Sequence, residues 1–252
     1  MLIRTSRIER SRVRARDGAI GRVDTFLFDE EQWVLRYIVA KYGFFIFGRR
    51  VLLSPVSLTG TVGANNESIS VGLTKDQIKN APAADLARPV SRRKEEQFHR
   101  YYQIPVYWGG AGLWGSAMTP MEVGTVTYEP AATVEPIEAD KDEYHLRSTR
   151  EIEGYRVDAT DGRVGEVQGF LIEDTTWAVR YLRIRVTDEM GDGELFVSPH
   201  WVDEISWIER KLKLDMSSSR LNEAPTVGVQ GTLERDDEEK LHQFFGRPRY
   251  WK

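Results

Sequence analysis

The feature that most constrains this chain is an internal duplication, because one pattern of residues occurs twice along its 252 positions. Eleven residues of the first copy recur unchanged 144 positions later: Asp17, Gly18, Gly21, Val23, Phe26, Leu27, Trp33, Arg36, Tyr37, Ser54 and Pro55 correspond to Asp161, Gly162, Gly165, Val167, Phe170, Leu171, Trp177, Arg180, Tyr181, Ser198 and Pro199. A repeated pattern of this kind is the sequence signature of a repeated structural unit. The sequence therefore predicts two units that share one topology.

The two copies continue beyond this pattern and set the predicted domain bounds. One residue is lost between Pro199 and Leu212, and residues 98–108 then parallel residues 241–251. Each copy has about the commonest size of a protein domain, so each is long enough to bury a core of its own. We therefore predict two domains, at residues 1–108 and 146–252.

The segment between the copies, residues 109–145, is rich in glycine, proline and acidic residues. A connection of this length without secondary structure is uncommon inside a compact domain. It is therefore predicted to be a linker, with Leu113, Trp114 and Met118 as the residues that would dock locally.

Short strands dominate the predicted secondary structure of each copy. Val13 and Ala15 alternate with arginines, which is the period of a strand with one buried face, and Asp17 with Gly18 then supplies a tight turn. Five or six short strands with few helices between them favour a small antiparallel β-barrel. The predicted fold is mainly β, with two tandem barrels related by a pseudo-twofold axis, and Gly21 and Gly165 mark a bulge in each.

A helical tail rich in aromatic residues is predicted after each barrel, over residues 92–102 and 235–245, since aromatics there recur at spacings of three and four. After each helix comes a proline, Pro105 or Pro248, and then Tyr and Trp two and three residues later. Two interpretations stay open: the tails pack on the barrels, or their aromatic edges bind a partner. The candidate partner-binding aromatics are Tyr101, Tyr102, Tyr107, Trp108, Phe244, Phe245, Tyr250 and Trp251.

Charge separates the two copies, although the whole chain has a net charge of only −4. Residues 1–108 carry 18 lysines and arginines against 11 acidic residues, whereas residues 109–252 carry 17 against 28. The densest basic stretch offers four candidate binding residues: Arg10, Arg12, Arg14 and Arg16. RNA, an anionic membrane surface and the acidic second half are the partners that such a row fits, and a merely solvated strand face is the alternative.

Residues able to perform catalysis are sparse in this sequence. It has no cysteine, no phosphate-binding loop and no nucleophile elbow. His99 and His242 each follow a glutamate by four residues, Glu95 and Glu238, which places carboxylate and imidazole on one helix face. A metal site would need at least one more ligand. We therefore predict no enzyme activity, no metal and no cofactor.

Ser198, Pro199 and His200 resemble part of a catalytic triad, but the first copy has Ser54, Pro55 and Val56 there. Because proline ends a strand in both copies, strand termination explains the motif without catalysis. No apolar run approaches the length of a membrane-spanning helix, and a cytoplasmic location is expected.

The repeated order of Asp, Gly, two residues, Gly and Val, then an apolar strand, Trp, Arg and Tyr, and finally Val, Leu, Leu, Ser and Pro or its equivalent, resembles the PRC-barrel family. The resemblance covers residues 8–82 and 152–225. That family includes the cytoplasmic domain of the photosynthetic reaction centre H subunit and the carboxy-terminal domain of the ribosome maturation factor of the RimM type. The resemblance implies a small β-barrel that acts as an adaptor, with no family catalytic residues to transfer.

Two functions follow as expectations. The first is a non-catalytic tandem adaptor that binds other macromolecules through a protein partner not named by the sequence, with assembly into a homodimer left open. The second is a ribosome- or RNA-associated factor that uses the basic amino-terminal half.

Overall fold

The computed structural model describes residues 1–43, 48–62, 67–84, 86, 90–125, 145–187, 193–228 and 233–251. It is mainly β, with two sheets, one of which curls into a half-barrel. The first part of the chain forms these elements: β1 (Leu2–Arg4), α1 (Thr5–Ile8), β2 (Arg12–Ala15), β3 (Gly18–Asp29), β4 (Val34–Tyr42), β5 (Arg49–Leu53), β6 (Ser68–Ser70), α2 (Lys75–Asn80), α3 (Arg92–Tyr102) and α4 (Pro120–Thr125).

The second part of the chain follows a similar order, but it has one strand more and, within the described residues, no equivalent of α4. Its elements are β7 (Leu146–Ser148), α5 (Thr149–Ile152), β8 (Arg156–Asp158), β9 (Arg163–Glu173), β10 (Val179–Val186), β11 (Glu194–Val197), β12 (Val202–Ser206), β13 (Lys211–Leu214), α6 (Ser218–Asn222) and α7 (Arg235–Phe245). A 3-10 turn that begins at Pro55 or Pro199 follows β5 and β11, as strand termination by proline predicts.

Each sheet mixes antiparallel and parallel pairing. The strand orders are β5-β4-β3-β2-β6, with β7 paired to β3, and β11-β10-β9-β8-β13-β12, with β1 paired to β9. The pairs β2–β6 and β8–β13 are parallel. These two pairs depart from the antiparallel pairing that the sequence predicts, because each joins strands that are far apart in the sequence, as parallel pairing requires.

The compact units of the structure do not follow the predicted domain bounds. One unit, which we call the first unit, comprises residues 6–150 and 173–178; the second unit comprises residues 1–5, 151–172 and 179–252. The amino-terminal strand β1 thus belongs to the second unit, and its repeat equivalent β7 belongs to the first.

The predicted linker is only partly within the described residues, since residues 126–144 lie outside them. Residues 109–125 include α4 and are not a bare connection. Trp114 is 4% exposed, and its indole nitrogen donates to the carbonyl of Thr176 at 2.9 Å. Met118, by contrast, is 54% exposed, so local docking holds for the tryptophan and not for the methionine.

Bulges beside Gly21 and Gly165 confirm the predicted irregularities. The register shifts between Val13 and Arg14 where β2 meets Gly21. A Cβ at Gly21 would lie 2.4 Å from the carbonyl oxygen of Lys41, and one at Gly165 would lie 2.0 Å from that of Arg185. Only glycine allows strands to approach this closely.

Each unit has a core of large apolar and aromatic side chains. In the first unit Phe26, Phe28 and Ile38 are fully buried, and in the second Phe170 and Leu182 are. Each such side chain stabilises the fold by about 1.5 to 3 kcal/mol relative to an exposed one. Among the helices described, none is long and apolar enough to cross a lipid bilayer.

Candidate functional site

Each helical tail brings a glutamate and a histidine onto the sheet of its own unit. Helix α3 spans the predicted residues and ends at Gln103, which takes the left-handed conformation with φ of 55°. Glu95 and His99 lie one turn apart on its buried face. Phe98 packs between them against Tyr37 of β4, with ring centroids 6.3 Å apart, so apolar contact fixes the helix where the polar groups meet.

The polar groups form a cluster around the hydroxyl of Tyr37, which we call the first cluster. This hydroxyl lies 2.9 Å from Nε2 of His99 and 3.1 Å from Oε2 of Glu95. Tyr107 donates to the same carboxylate oxygen at 2.5 Å. His145 approaches the other oxygen of Glu95 at 3.0 Å, and Arg92 does so at 3.3 Å. The side chain of Glu95 is fully buried, so these partners replace water.

The hydrogen positions in the first cluster follow from its acceptors. The carbonyl oxygen of Pro105 lies 2.8 Å from Nδ1 of His99 and accepts a hydrogen, so Nδ1 carries one. Burial lowers the pKa of His99 and so favours the neutral ring, although the carboxylate of Glu95 opposes this shift. A neutral ring with its hydrogen on Nδ1 accepts at Nε2, from the hydroxyl of Tyr37.

The tyrosines of the first cluster stay protonated over a wide pH range. Burial raises the pKa of Tyr37 and Tyr107 well above its usual value, and the negative charge of Glu95 raises both further. They therefore act as hydrogen-bond donors and not as bases.

A buried cation closes the first cluster on one side. Arg36 is 1% exposed, pairs with Asp29 at 3.1 Å, and places its guanidinium carbon 3.9 Å from the centre of the Tyr107 ring. A planar guanidinium suits both contacts, because it forms hydrogen bonds in its plane and stacks on aromatic faces.

The second unit builds a matching cluster, which we call the second cluster. His242 Nε2 lies 3.0 Å from the hydroxyl of Tyr181, and its Nδ1 lies 2.8 Å from the carbonyl oxygen of Pro248. Tyr250 donates to Glu238 at 2.5 Å, and Arg235 pairs with the same carboxylate at 2.9 Å. Burial again lowers the pKa of His242 and raises the pKa of Tyr181 and Tyr250.

Both clusters are sealed from solvent at their centres. Glu95 and Glu238 are 0% and 2% exposed, and His99 and His242 are 5% and 3% exposed. The clusters join strand, helix and tail within each unit, and their carboxylates are buried. Across the described residues, no group of three histidine or acidic side chains is placed to hold a metal ion.

The candidate aromatics pack mainly on their own units. Tyr107 is 6% exposed and committed to the first cluster, so its interpretation as a surface contact is corrected. Tyr101 is 38% exposed, and its hydroxyl donates to the carbonyl of Gln77 at 2.7 Å. The remaining candidates are half-buried: Tyr102, Trp108, Phe244, Phe245, Tyr250 and Trp251.

The candidate arginines lie at the surface as the alternation predicts. Arg12, Arg14 and Arg16 are exposed, while the residues between them on β2 are buried. Arg10 is exposed too and has φ of 67°. Two of the four, Arg10 and Arg12, line an open groove of about 510 Å³, which we call the basic groove.

Other residues of the basic groove come from neighbouring strands. Arg22 on β3 and Lys41 on β4 add two cations, and Tyr42 adds an aromatic ring. Asp24 also lines the groove. Burial raises the pKa of Asp24, but hydrogen bonds and charge from Arg50 and Arg150 outweigh it and lower that pKa overall.

The sequence pattern missed several of these partners. It placed Glu95 and His99 on one helix face, but it did not identify Tyr37, which is 58 residues away from Glu95 and contacts both. The duplication holds a signal for most of them, since Tyr37 recurs 144 positions later and Arg92 and Tyr107 recur 143 positions later. His145 has no counterpart in the second copy.

Comparison with known proteins gives no family for this chain: no protein-family model matches it, and no curated protein does either.

Proposed function

We propose that this chain is a non-catalytic adaptor made of two PRC-type β-barrel modules, which binds other macromolecules through exposed faces of the modules. The sequence resemblance of both copies to the PRC-barrel family supports the modules. A mainly β fold with two sheets, each followed by a helical tail, is compatible with it.

The observation that carries the proposal is the sealing of the two clusters. They are the places where each repeat concentrates histidine, glutamate and tyrosine, and in both the carboxylate is at most 2% exposed. A catalytic acid or base must reach the proton that it transfers, whereas these groups are bound to each other. Their hydrogen bonds tie each tail to its sheet, which is what a rigid binding module needs.

The basic groove favours a second candidate function, that of a ribosome- or RNA-associated factor of the RimM type. Four cations line it, and the paired Asp24 is its one acidic residue among the residues described. Guanidinium groups bind phosphate groups readily, so a nucleic acid is a partner that this surface would accept.

Affinity capture of the full chain from its native cell, with and without nuclease, tests the proposal. The adaptor hypothesis expects a defined set of protein partners that survives nuclease and crosslinks to exposed residues of the modules. Capture of RNA alone would favour the second candidate. Turnover of a small molecule that depends on Glu95 or Glu238 would contradict both.

A further inference from the structure

A row of cations crosses the sheet of the first unit at the basic groove. Arg12 on β2 is paired with Arg22 on β3, Arg22 with Lys41 on β4, and Lys41 with Arg50 on β5. Residues paired directly across antiparallel strands share a face and lie about 5 Å apart. Four positive side chains therefore stand side by side.

The second unit carries the same row with alternating charge. The equivalent positions, 144 residues later, are Arg156, Glu166, Arg185 and Glu194, and they are paired in the same order. Glu166 lies 3.5 Å from Arg185, and Arg4 of the same unit lies 2.9 Å from Glu194. Each positive charge of this row thus has a carboxylate beside it.

In the first unit, far fewer of the positive charges in the row are paired with a carboxylate. Arg50 pairs with Asp24 at 2.6 Å, but within the described residues Arg12, Arg22 and Lys41 have no ion pair. Like charges directly opposite each other destabilise a sheet. The alternating row of the second unit shows that this fold accepts carboxylates at these positions, so the cationic row is not a requirement of the fold.

Arg10 adds a second unfavourable feature at the same groove. It has φ of 67°, and its repeat equivalent is Gly154 with φ of 83°. The backbone bond is the same in both repeats, since the amide of Arg10 donates to Val23 and that of Gly154 to Val167. Glycine takes this conformation without strain, whereas arginine does not. The carbonyl oxygen of Arg10 also accepts a hydrogen bond from Arg22, which holds that guanidinium at the groove.

The shape of the site favours an extended polyanion. The groove is open, and further positive charge comes from Arg14 on the exposed face of β2 and from Arg16 directly after that strand. Proteins that bind single-stranded nucleic acid combine a positive groove along the backbone with aromatic rings for the bases. Tyr42 supplies a half-buried ring in the groove itself.

We infer that the basic groove, formed by Arg10, Arg12, Arg22 and Lys41, binds the phosphodiester backbone of single-stranded RNA. The inference rests on the proposed function in one respect, since it names the class of macromolecule that the first unit of the adaptor binds. The bound phosphates supply the negative charge that Glu166 and Glu194 supply in the second unit.

Fluorescence anisotropy of the full chain with a labelled uridine homopolymer of about 20 nucleotides tests the inference. For four cations, the logarithm of the binding constant should fall with the logarithm of salt concentration with a slope of about −3. Arg22→Glu places a carboxylate where the second unit has Glu166, so the chain should stay folded. It should weaken binding at least about tenfold and reduce the magnitude of the slope by about 1.

Two further variants separate the site from general charge effects. Arg93→Glu makes the same change of charge at an exposed position of α3 and should alter binding by less than about twofold. Arg10→Gly relieves the backbone and should melt no lower than the natural chain, yet bind about threefold more weakly. Weaker binding together with unchanged or raised melting is not what a purely structural role predicts.

Two results would overturn the inference. One is equal binding of the oligonucleotide by the natural chain and the Arg22→Glu variant. The other is no oligonucleotide binding together with Arg22-dependent sedimentation on phosphatidylglycerol vesicles, which would assign the groove to a membrane surface. If protein partners are captured equally well by the Arg22→Glu variant while RNA is not bound, the inference fails and the adaptor function stands.

Discussion

At the scale of single residues, the buried carboxylate of Glu95 holds the first unit's tail in place. It accepts from Tyr107 and lies beside Tyr37, His145 and Arg92. Removing its charge leaves Tyr107 and Arg92, which donate to it, facing a neutral amide. A charged hydrogen bond contributes about 1.5 to 3 kcal/mol, and a broken buried network costs more.

Glu95→Gln is therefore expected to lower the free energy of unfolding by about 2 to 4 kcal/mol, measured by chemical denaturation. The neighbouring Glu96→Gln is the matched control. Glu96 reaches only the exposed Arg100 at 3.8 Å, so its replacement should change stability by less than about 0.5 kcal/mol. Equal effects of the two substitutions would show that the cluster adds nothing to stability.

Trp33 and Trp177 are the other residues with large expected effects. They are 6% and 2% exposed, and Trp33 stacks on Phe28 with ring centroids 5.0 Å apart. Both take left-handed backbone conformations, with φ of 55° and 61°. Deletion of either ring leaves a cavity, so Trp33→Ala or Trp177→Ala should destabilise the protein by about 3 to 5 kcal/mol. A loss below about 1 kcal/mol in denaturation would place the rings at the surface.

The sequence predicts those site residues whose arrangement depends only on their near neighbours in the chain. The spacing of Glu95 and His99 on one helix face is readable without a structure, and so is the arginine alternation on β2. Lys41 was not placed with Arg12, because their proximity depends on the register of three strands. Register is set by bulges and turns that a linear pattern does not report.

At the scale of elements, the helices were the most predictable. α3 and α7 have the predicted bounds. α2 follows Thr74, which forms a capping box with Gln77, a local signal of the same kind. Caps and the spacing of apolar residues are local properties, so the sequence contains them.

The three-residue strands β1 and β7 were not predicted. Each is too short to show a period of two. β1 forms because it pairs with β9, and β7 forms because it pairs with β3. Local patterns likewise do not show that β1 belongs to the second unit and β7 to the first.

Deletion of residues 1–4 tests the role of β1. Leu2 and Ile3 are 8% and 1% exposed, so the second unit should lose about 3 to 6 kcal/mol of apolar burial. Amides of β9 should exchange hydrogen faster, while those of β3 serve as the internal control. Unchanged protection of β9 would contradict the pairing of β1 with β9.

At the scale of the whole molecule, titration of the two clusters makes the free energy of unfolding depend on pH. The pKa values of His99 and His242 are lowered in the folded state, mainly by burial, so the unfolded chain binds more protons below a pH of about 6.5. The pKa values of Tyr37 and Tyr107 are raised, so the unfolded chain loses protons first above a pH of about 10.

Denaturation midpoints should therefore be highest between these limits and fall on both sides. His200 lies at the surface, and partial desolvation together with the charge of Arg180 lowers its pKa too. His200→Gln therefore serves as a control that should leave most of the acid-side loss in place. The pairing of Asp24 with arginines lowers the folded pKa of that carboxyl, so its stabilising effect is fully present across this range and is lost only below a pH of about 3.8. Stability that is constant or rises from pH 6.5 to pH 5 would contradict burial of neutral histidines.

At this scale the two copies share a histidine–tyrosine contact beneath each helical tail and differ in the charges at their surfaces. The sequence established the duplication, because identical residue types recur at a fixed offset. It did not establish that cluster residues from strand, helix and tail meet in the same way in both copies, which depends on tertiary packing.

Long-range proton–nitrogen NMR of the imidazole rings tests this claim most directly, and four histidines make the spectrum assignable. The ring nitrogens of His99 and His242 lie against Pro105 and Pro248 at the same 2.8 Å. At neutral pH both histidines should be neutral with the hydrogen on Nδ1. A hydrogen on Nε2, or a charged ring, in either residue would contradict the account of two copies that share one interior.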